Sequence, residues 1–396
     1  MKKISLLVVV LAILSGIAFW RVLPRLLQGG SISQTNLIVW GFDEEETVKP
    51  QLILYQQNNP GVNITYVKQS LLNYVPRVQT QISAMPKVMS APDIFLFHSS
   101  FWPAFLPLLQ EVPDAVTVLP IVSQTLTADK KIYGLPKEVS GLAMFYNIDI
   151  LKGAGVGVPR SWSEFTETAK AVTVKDSEGK IQTAGAALGT TENVSFWPEI
   201  LSLLFLQQPG ADLSSPSTSA GADVLKFYTS FVLDPQKKVW DTTLPSSSEM
   251  FAQGRLAFYF APRSEVQVLN ETAPGLNFAT AVVPQLSGRV ITQGGVWVWG
   301  VSKTTQHSAE AWDLAKFLSS GNPPDLKDPK LSSFALQGPY YKGWYLNSGV
   351  GWINDEMIKN YAGAVNGVLQ GKDALSSLQV TQASIKETLK TYGVAK

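Results

Sequence analysis

The chain contains no cysteine at all. Disulfides, thiolate zinc sites, iron–sulfur clusters and cysteine nucleophiles are therefore excluded. Histidine is nearly as scarce. His98 and His307 are the only two, too few for a multi-histidine metal centre. Charge is thin, at 16% of residues, with Lys and Arg totalling 32 against 31 Asp and Glu. That balance hides an asymmetry. Residues 1–30 carry Lys2, Lys3, Arg21 and Arg25 and no acid, and without them 28 basic side chains face 31 acidic ones. A slightly negative body is not a nucleic-acid binder by bulk charge. No pair of acids stands at a recognisable catalytic spacing. The glycines of 153–157 lack the spacing of a phosphate loop. No catalytic residue, metal or cofactor is expected. What remains is a chain of 396 residues, 45% hydrophobic, enough for two well-cored domains or one large one.

The N-terminus reads as a membrane segment. Lys2-Lys3 precedes Ile4–Trp20, seventeen residues without charge, and Arg21 follows. Such a run is long for the apolar region of a secretory signal and at the short limit for a membrane span. Gly16 and Ala18 offer a weak small-x-small cleavage site. The apolar run nevertheless continues to Trp20, an interface-type residue. The reading is an uncleaved N-terminal transmembrane helix over 1–20 and a linker over 21–35, with the body outside the cytoplasmic membrane. A cleaved signal is the alternative.

The body alternates strands and helices. Asn36–Trp40 is a β-rich run. Val48, Leu52 and Tyr55 follow at helical spacing, with Thr47 as the expected N-cap so that Pro50 falls in the first turn. Asn59-Pro60-Gly61 is a turn and Val62–Val67 a strand. This β–α–β unit predicts a parallel sheet. Asp93–Phe97 is a strand, apolar after its first residue, suited to the middle of such a sheet. Gly141–Tyr146, Gly254–Phe260 and Val296–Val301 read as further strands. Ser161 and Glu164 form a capping box opening a helix through Ala171. A helix is expected over 308–318. Ile358, Tyr361, Val365 and Leu369 mark one amphipathic helix, and a last helix follows Gly371.

The segment Ile132–Thr173, IYGLPKEVSGLAMFYNIDILKGAGVGVPRSWSEFTETAKAVT, resembles the extracellular solute-binding proteins of ABC importers, in particular the maltodextrin-binding group. Other pieces match in order: Trp40 with GFDEEE, Asn59-Pro60-Gly61-Val62, Ala91–Phe95, Phe251–Phe260 (FAQGRLAFYF), Gly294–Ser302 and Ala309–Leu318. The resemblance spans roughly 36–390. It implies an α/β, periplasmic-binding-protein-like fold of type II, with two α/β lobes joined by a three-strand hinge. Lobe one would hold 36–139 and 285–332, and lobe two 140–284 and 333–396. It also implies a non-enzymatic, monomeric receptor that binds a small-molecule solute, a carbohydrate above other classes, between the lobes and docks on ABC permease subunits. Two departures bear on the ligand. Ala261–Ser264 lacks the aromatic that relatives often keep there, and Ala335–Trp352 is unusually rich in Tyr and Trp.

A sugar presents an apolar C–H face and a rim of hydroxyls, so aromatic rings beside carboxylates, amides and arginine suit it. The ends of the expected strands supply Trp40, Asp43, Glu45, His98, Ser100 and Glu138 in lobe one. Glu192, Trp197 and Arg263 come from lobe two. Gly295 allows close backbone approach, Trp297 offers a stacking face, and Trp344 lies in the aromatic loop. Each also has a structural reading: core tryptophan, helix-start acid, capping histidine, surface arginine. Trp297 and Trp299 share parity, so one cleft and one core residue are expected. A sensor ectodomain, a polyamine or peptide binder, and a glycoside hydrolase are the competing functions.

Overall fold

The computed structural model describes residues 34–84, 90–113, 116–286, 288, 290–320, 326–343 and 353–391. The expected anchor and most of the linker lie outside them. Among the described residues no helix is long and apolar enough to cross a membrane.

Among the described residues ten strands share one mixed sheet, in the order β2-β1-β3-β11-β6-β9-β8-β7, with β10 beside β6 and β12 beside β11. The chain opens with β1 (Thr35–Gly41), the helix Glu45–Asn58 and β2 (Val62–Lys68), and β1 pairs β2 in parallel as the β–α–β pattern predicts. The helix begins three residues earlier than expected, at Glu45 with Glu44 as N-cap. Pro50 thus lies inside it, on an exposed face, where its missing N–H leaves the preceding turn one bond short. Val48, Leu52 and Tyr55 are its buried side, as their spacing requires. β3 (Ile94–His98) pairs β1 in parallel. A two-residue hairpin pair, β4 (Thr127–Ala128) and β5 (Lys131–Ile132), precedes β6.

β6 (Leu135–Asn147) is longer than its sequence signal, because it serves two partners. Its first part, through Gly141, pairs antiparallel with β11 (Thr292–Val301). From Leu142 onward it pairs with β9 (Leu256–Pro262). β9 is flanked by β8 (Ile181–Ala186), with β7 (Val174–Lys175) at the edge. β10 (Phe278–Ala281) runs against the far end of β6, and β12 (Tyr341–Lys342) lies along the start of β11.

The partner switch divides the sheet into two halves, each with its own core. In the first half alternate residues feed opposite faces, following the period of two. Leu37, Val39, Ile94, Leu96, Trp299 and Val301 meet the helix Ser308–Ser319 on one face. Trp40, Phe95, Phe97, Val296 and Val298 meet Tyr74 and Phe105 on the other. Both faces are covered, so these strands read as unbroken apolar runs. The second half packs Phe145, Phe165, Phe258, Phe260 and Trp240 into one core. A fully buried ring there contributes about 2–3 kcal/mol of transfer free energy.

Local signals set the boundaries. Ser161 Oγ accepts from Glu164 N at 3.2 Å and opens the helix Trp162–Val172. The returning Glu164 carboxylate takes the N–H of Arg160, one residue outside the expected cap. Gly155 closes the helix Ile148–Ala154 at φ 66, a left-handed position that favours glycine. The glycines of 153–157 are thus a helix end. The C-terminal pair of helices, Ile353–Leu369 and Ala374–Thr391, packs onto the second half.

Candidate functional site

The carboxyl ends of β1 and β3 and the opening of β11 lie at one end of the first half, where ligands gather in open α/β sheets. Three residues stand in a row across three strands there. Trp297 pairs with His98 on β3 and with Glu138 on β6. Trp297 alone along β11 is half-exposed, whereas Trp299, two residues on and inside the sheet, is 1% exposed. One tryptophan forms the wall and the other the core.

Neighbours fix the Trp297 ring edge-on. Phe42 lies 5.3 Å from it at 61°, and His98 lies 5.3 Å from it at 63°. Phe42 is held in turn by Tyr74 at 4.8 Å. His98 lies close against β11 at Gly295. A Cβ at Gly295 would fall 2.2 Å from His98 Nε2, so glycine at 295 makes room for the imidazole. Ser100 N–H donates to His98 Nδ1 at 3.3 Å, and the Ser100 hydroxyl lies 2.9 Å from the same atom. Nδ1 is therefore an acceptor and the neutral ring carries its proton on Nε2. Burial pushes the His98 pKa down to about 4, so the ring is neutral at physiological pH.

Polar groups edge this wall. The β6–β11 register slips between Trp297 and Val298, so Lys137 is an extra residue between Glu138 and Pro136. Such a bulge re-aims a side chain. Lys137 Nζ here reaches Asp43 Oδ2 at 2.6 Å, with both side chains about one-third exposed. Tyr66 Oη donates to the Asp43 carbonyl at 3.0 Å, steadying the loop.

The structure therefore brings together Asp43, His98, Ser100, Glu138, Gly295 and Trp297. Trp40 is not among them. It is 5% exposed and packs with Phe95 and Phe97 on one face, opposite the one that β3 and β11 give to His98 and Trp297. Glu45 is exposed in the first turn of its helix, the structural role of a helix-start acid.

The second half places its candidates beyond the ends of β8 and β9. Glu192 is exposed, Trp197 is half-buried at the start of the helix Trp197–Gln207, and Arg263 is half-buried directly after β9. The 187–196 loop is anchored by Asn193. Its Nδ2 donates to the carbonyls of Asp241 and Leu244, both at 2.9 Å, and its Oδ1 accepts from Trp240 Nε1 at 2.9 Å and from the Thr190 hydroxyl. Arg263 sits near the Tyr341 hydroxyl. Burial pushes that hydroxyl's pKa up, and the Arg263 charge opposes the shift. Trp344 lies outside the described residues.

Sequence reasoning missed four residues. Phe42 and Lys137 belong to the first wall. Phe196 has φ 41, a strained conformation for a bulky side chain, and its ring lies 6.2 Å from Tyr259. Glu199, in the first turn of the same helix, is desolvated, and burial pushes its carboxyl pKa up. Separate from the wall, a groove of about 790 Å³ opens toward the other end of β11, lined by Tyr133, Lys303, Trp312 and Lys316 among others. Among the described residues no cluster of three metal-ligating side chains exists.

Residues 54–323 match the model of the bacterial extracellular solute-binding protein family. The chain belongs to that family. Its members are binding proteins, not enzymes, and the family is extracellular. A Brucella abortus (strain 2308) protein carried under a provisional binding-protein name is 25% identical over 200 residues, 48% of this chain and 47% of the relative. The chain thus spans about half the length of the curated relatives it matches. Solved structures share the fold over nearly all of both chains. The sugar-binding protein MalE of Xanthomonas citri superposes with a TM-score of 0.73 at 19% identity, covering 91% of this chain and 98% of that one. A cyclo/maltodextrin-binding protein complexed with maltotetraose gives 0.73 at 18% identity, covering 92% and 99%. The substrate-binding protein Lmo0181 of Listeria monocytogenes, in complex with cycloalternan, gives 0.66 at 18%, covering 92% and 100%.

Proposed function

We propose that this family member is the extracytoplasmic receptor of an ABC importer, tethered to the membrane through residues 4–20, and that it binds a carbohydrate, an oligosaccharide above other classes. In this reading the two halves of the sheet are two lobes, 36–139 with 285–332 and 140–284 with 333–396, and the ligand lies between them. Closure buries it, and the closed form is selected because both lobes touch the ligand only there.

The observation that carries the reading is the row Glu138–Trp297–His98. A half-exposed indole held edge-on by Phe42 and His98 offers a fixed apolar face to a pyranose. Glu138, the Ser100 hydroxyl and the Lys137–Asp43 pair stand around it as donors and acceptors for hydroxyls. Relatives of the same fold solved with maltotetraose and cycloalternan are in keeping with it. From the other lobe Glu192, Trp197, Arg263 and Phe196 would close over the ligand, with Trp344 as a further stacking residue. Micromolar affinity, about −8 kcal/mol, is the expected scale.

The test is isothermal titration of the purified chain with malto-oligosaccharides, other oligosaccharides, polyols, polyamines and peptides. Saturable binding of one carbohydrate class that Trp297→Ala weakens about thirtyfold supports the reading. Binding of a polyamine or peptide keeps the family and overturns the sugar.

A further inference from the structure

We infer that Gln337 is the positioning residue of the hinge, a side-chain amide wedged where two chains cross between the halves, and that motion is taken up beyond it at the paired glycines Gly141 and Gly294. The inference rests on the closure reading, but not on any ligand.

β10 pairs β6 from Phe278↔Asn147 to Ala281↔Met144. Two residues further, the same register would set Val283 against Leu142. The strands have parted there, and the Gln337 side chain fills the gap. Its Nε2 donates to the Leu142 carbonyl at 3.1 Å and its Oε1 accepts from Val283 N–H at 2.9 Å. The amide is 3% exposed and its orientation is fixed, because an N–H faces the oxygen and a carbonyl faces the N–H. It replaces a ladder rung and sets how far the two chains splay.

The second crossing chain is pinned on the same side. Gln207, wholly buried, donates from Nε2 to the carbonyls of Pro284 and Ile291 at 3.0 and 2.9 Å. Past these two amides the character changes. Gly294 pairs directly with Gly141, with Gly295 beside it, and at Gly141 β6 ends its pairing with β11. The backbones come so close there that a Cβ on Gly141 would lie 2.3 Å from the Gln293 carbonyl oxygen and 2.2 Å from the Tyr341 ring. A hinge needs a few residues that absorb φ/ψ change next to elements that do not. The glycine pair and the two amides supply those parts. Thr292, between the pinned Ile291 and Gly294, keeps a buried hydroxyl without a partner among the described residues, the mark of a segment not held at its hydrogen-bonding optimum.

The chain has no cysteine, so spin labels are placed cleanly. Ile53→Cys and Val380→Cys, at exposed positions on a helix of each half, report the distance between halves by pulsed dipolar spectroscopy on the ligand-free full chain in detergent. Gln337→Met, which keeps the volume and loses both bonds, is expected to broaden the distance distribution. Gln337→Asn, whose shorter amide reaches one partner, broadens it less and serves if the methionine variant does not fold. Leu203→Ala, a cavity in the second-half core, lowers Tm but leaves the width unchanged. A folded Gln337 variant with the parental width overturns the inference, and so does equal broadening by Leu203→Ala. Failure of every carbohydrate to bind would overturn the proposed function and leave this result standing.

Discussion

Alanine at Gly295 tests how the wall is built. The added methyl would lie 2.2 Å from His98 Nε2 and 2.7 Å from His98 Cε1, against an ordinary separation of about 3.5 Å or more. The imidazole has little room to retreat. Ser100 holds Nδ1, Trp297 lies edge-on at 5.3 Å, and β11 pairs with β6 at Gly295 itself and with β3 from Trp297 onward. Overpacking of this kind costs about 1–3 kcal/mol. In a chain of this size each kcal/mol lowers Tm by roughly 2 °C, so Gly295→Ala should melt about 2–6 °C lower. The displaced ring also tilts Trp297, which should shift its fluorescence and weaken carbohydrate binding. The double variant Gly295→Ala with His98→Ala removes the clash and should recover much of the Tm, a coupling that a cycle measures directly. An unchanged Tm for the single variant, or no coupling in the cycle, refutes the packing argument.

Other outcomes follow from the same geometry. Trp297→Ala should remove about 2 kcal/mol of carbohydrate binding, roughly thirtyfold in Kd by titration, with far-UV circular dichroism unchanged. Lys137→Met should cost at most about 1 kcal/mol of stability, because the pair with Asp43 is partly solvated, while still weakening a polar ligand. His98 has a folded pKa of about 4, below its unfolded value of about 6.5. The unfolded chain therefore takes the proton first, and stability falls as pH drops from about 6.5 toward 4. Denaturant melts should show a shallower fall for His98→Gln over that window, by up to about 3 kcal/mol. Asn193→Ala leaves two carbonyls and an indole N–H without their partner, and should cost about 2–4 kcal/mol by chemical denaturation.

The α/β alternation was legible because period-two and period-3.6 patterns are set by local geometry: the helix over 162–172 opens at its Ser161 cap, and the helices over 308–319 and 353–369 take in the residues expected of them. The same patterns were silent on depth. NLIVW is apolar on both faces, so nothing in it tells that Trp40 turns to the core. Trp297 and Trp299 differ only in distance from the end of β3. Trp297 meets its last residue, His98, and Trp299 meets Leu96 inside the sheet. Lys137 joins the wall through a bulge that no composition signals. Asn193 carries no sequence signal of depth, yet it is a buried anchor. Gln337 looked like one more residue of an aromatic-rich loop, since a side chain standing in for a backbone rung becomes visible only when the two strands are in place.

The central claim is carbohydrate recognition at Trp297, and thermal melting of the parent chain beside Trp297→Ala, across the solute panel, tests it most directly. A ligand at a hundredfold excess over its Kd adds about 2.7 kcal/mol to the folded state. The account predicts a rise in Tm with one oligosaccharide class for the parent and, with Kd weakened about thirtyfold, a rise about one third as large for Trp297→Ala. A rise as large in Trp297→Ala as in the parent, or one that appears only with a polyamine or peptide, contradicts it.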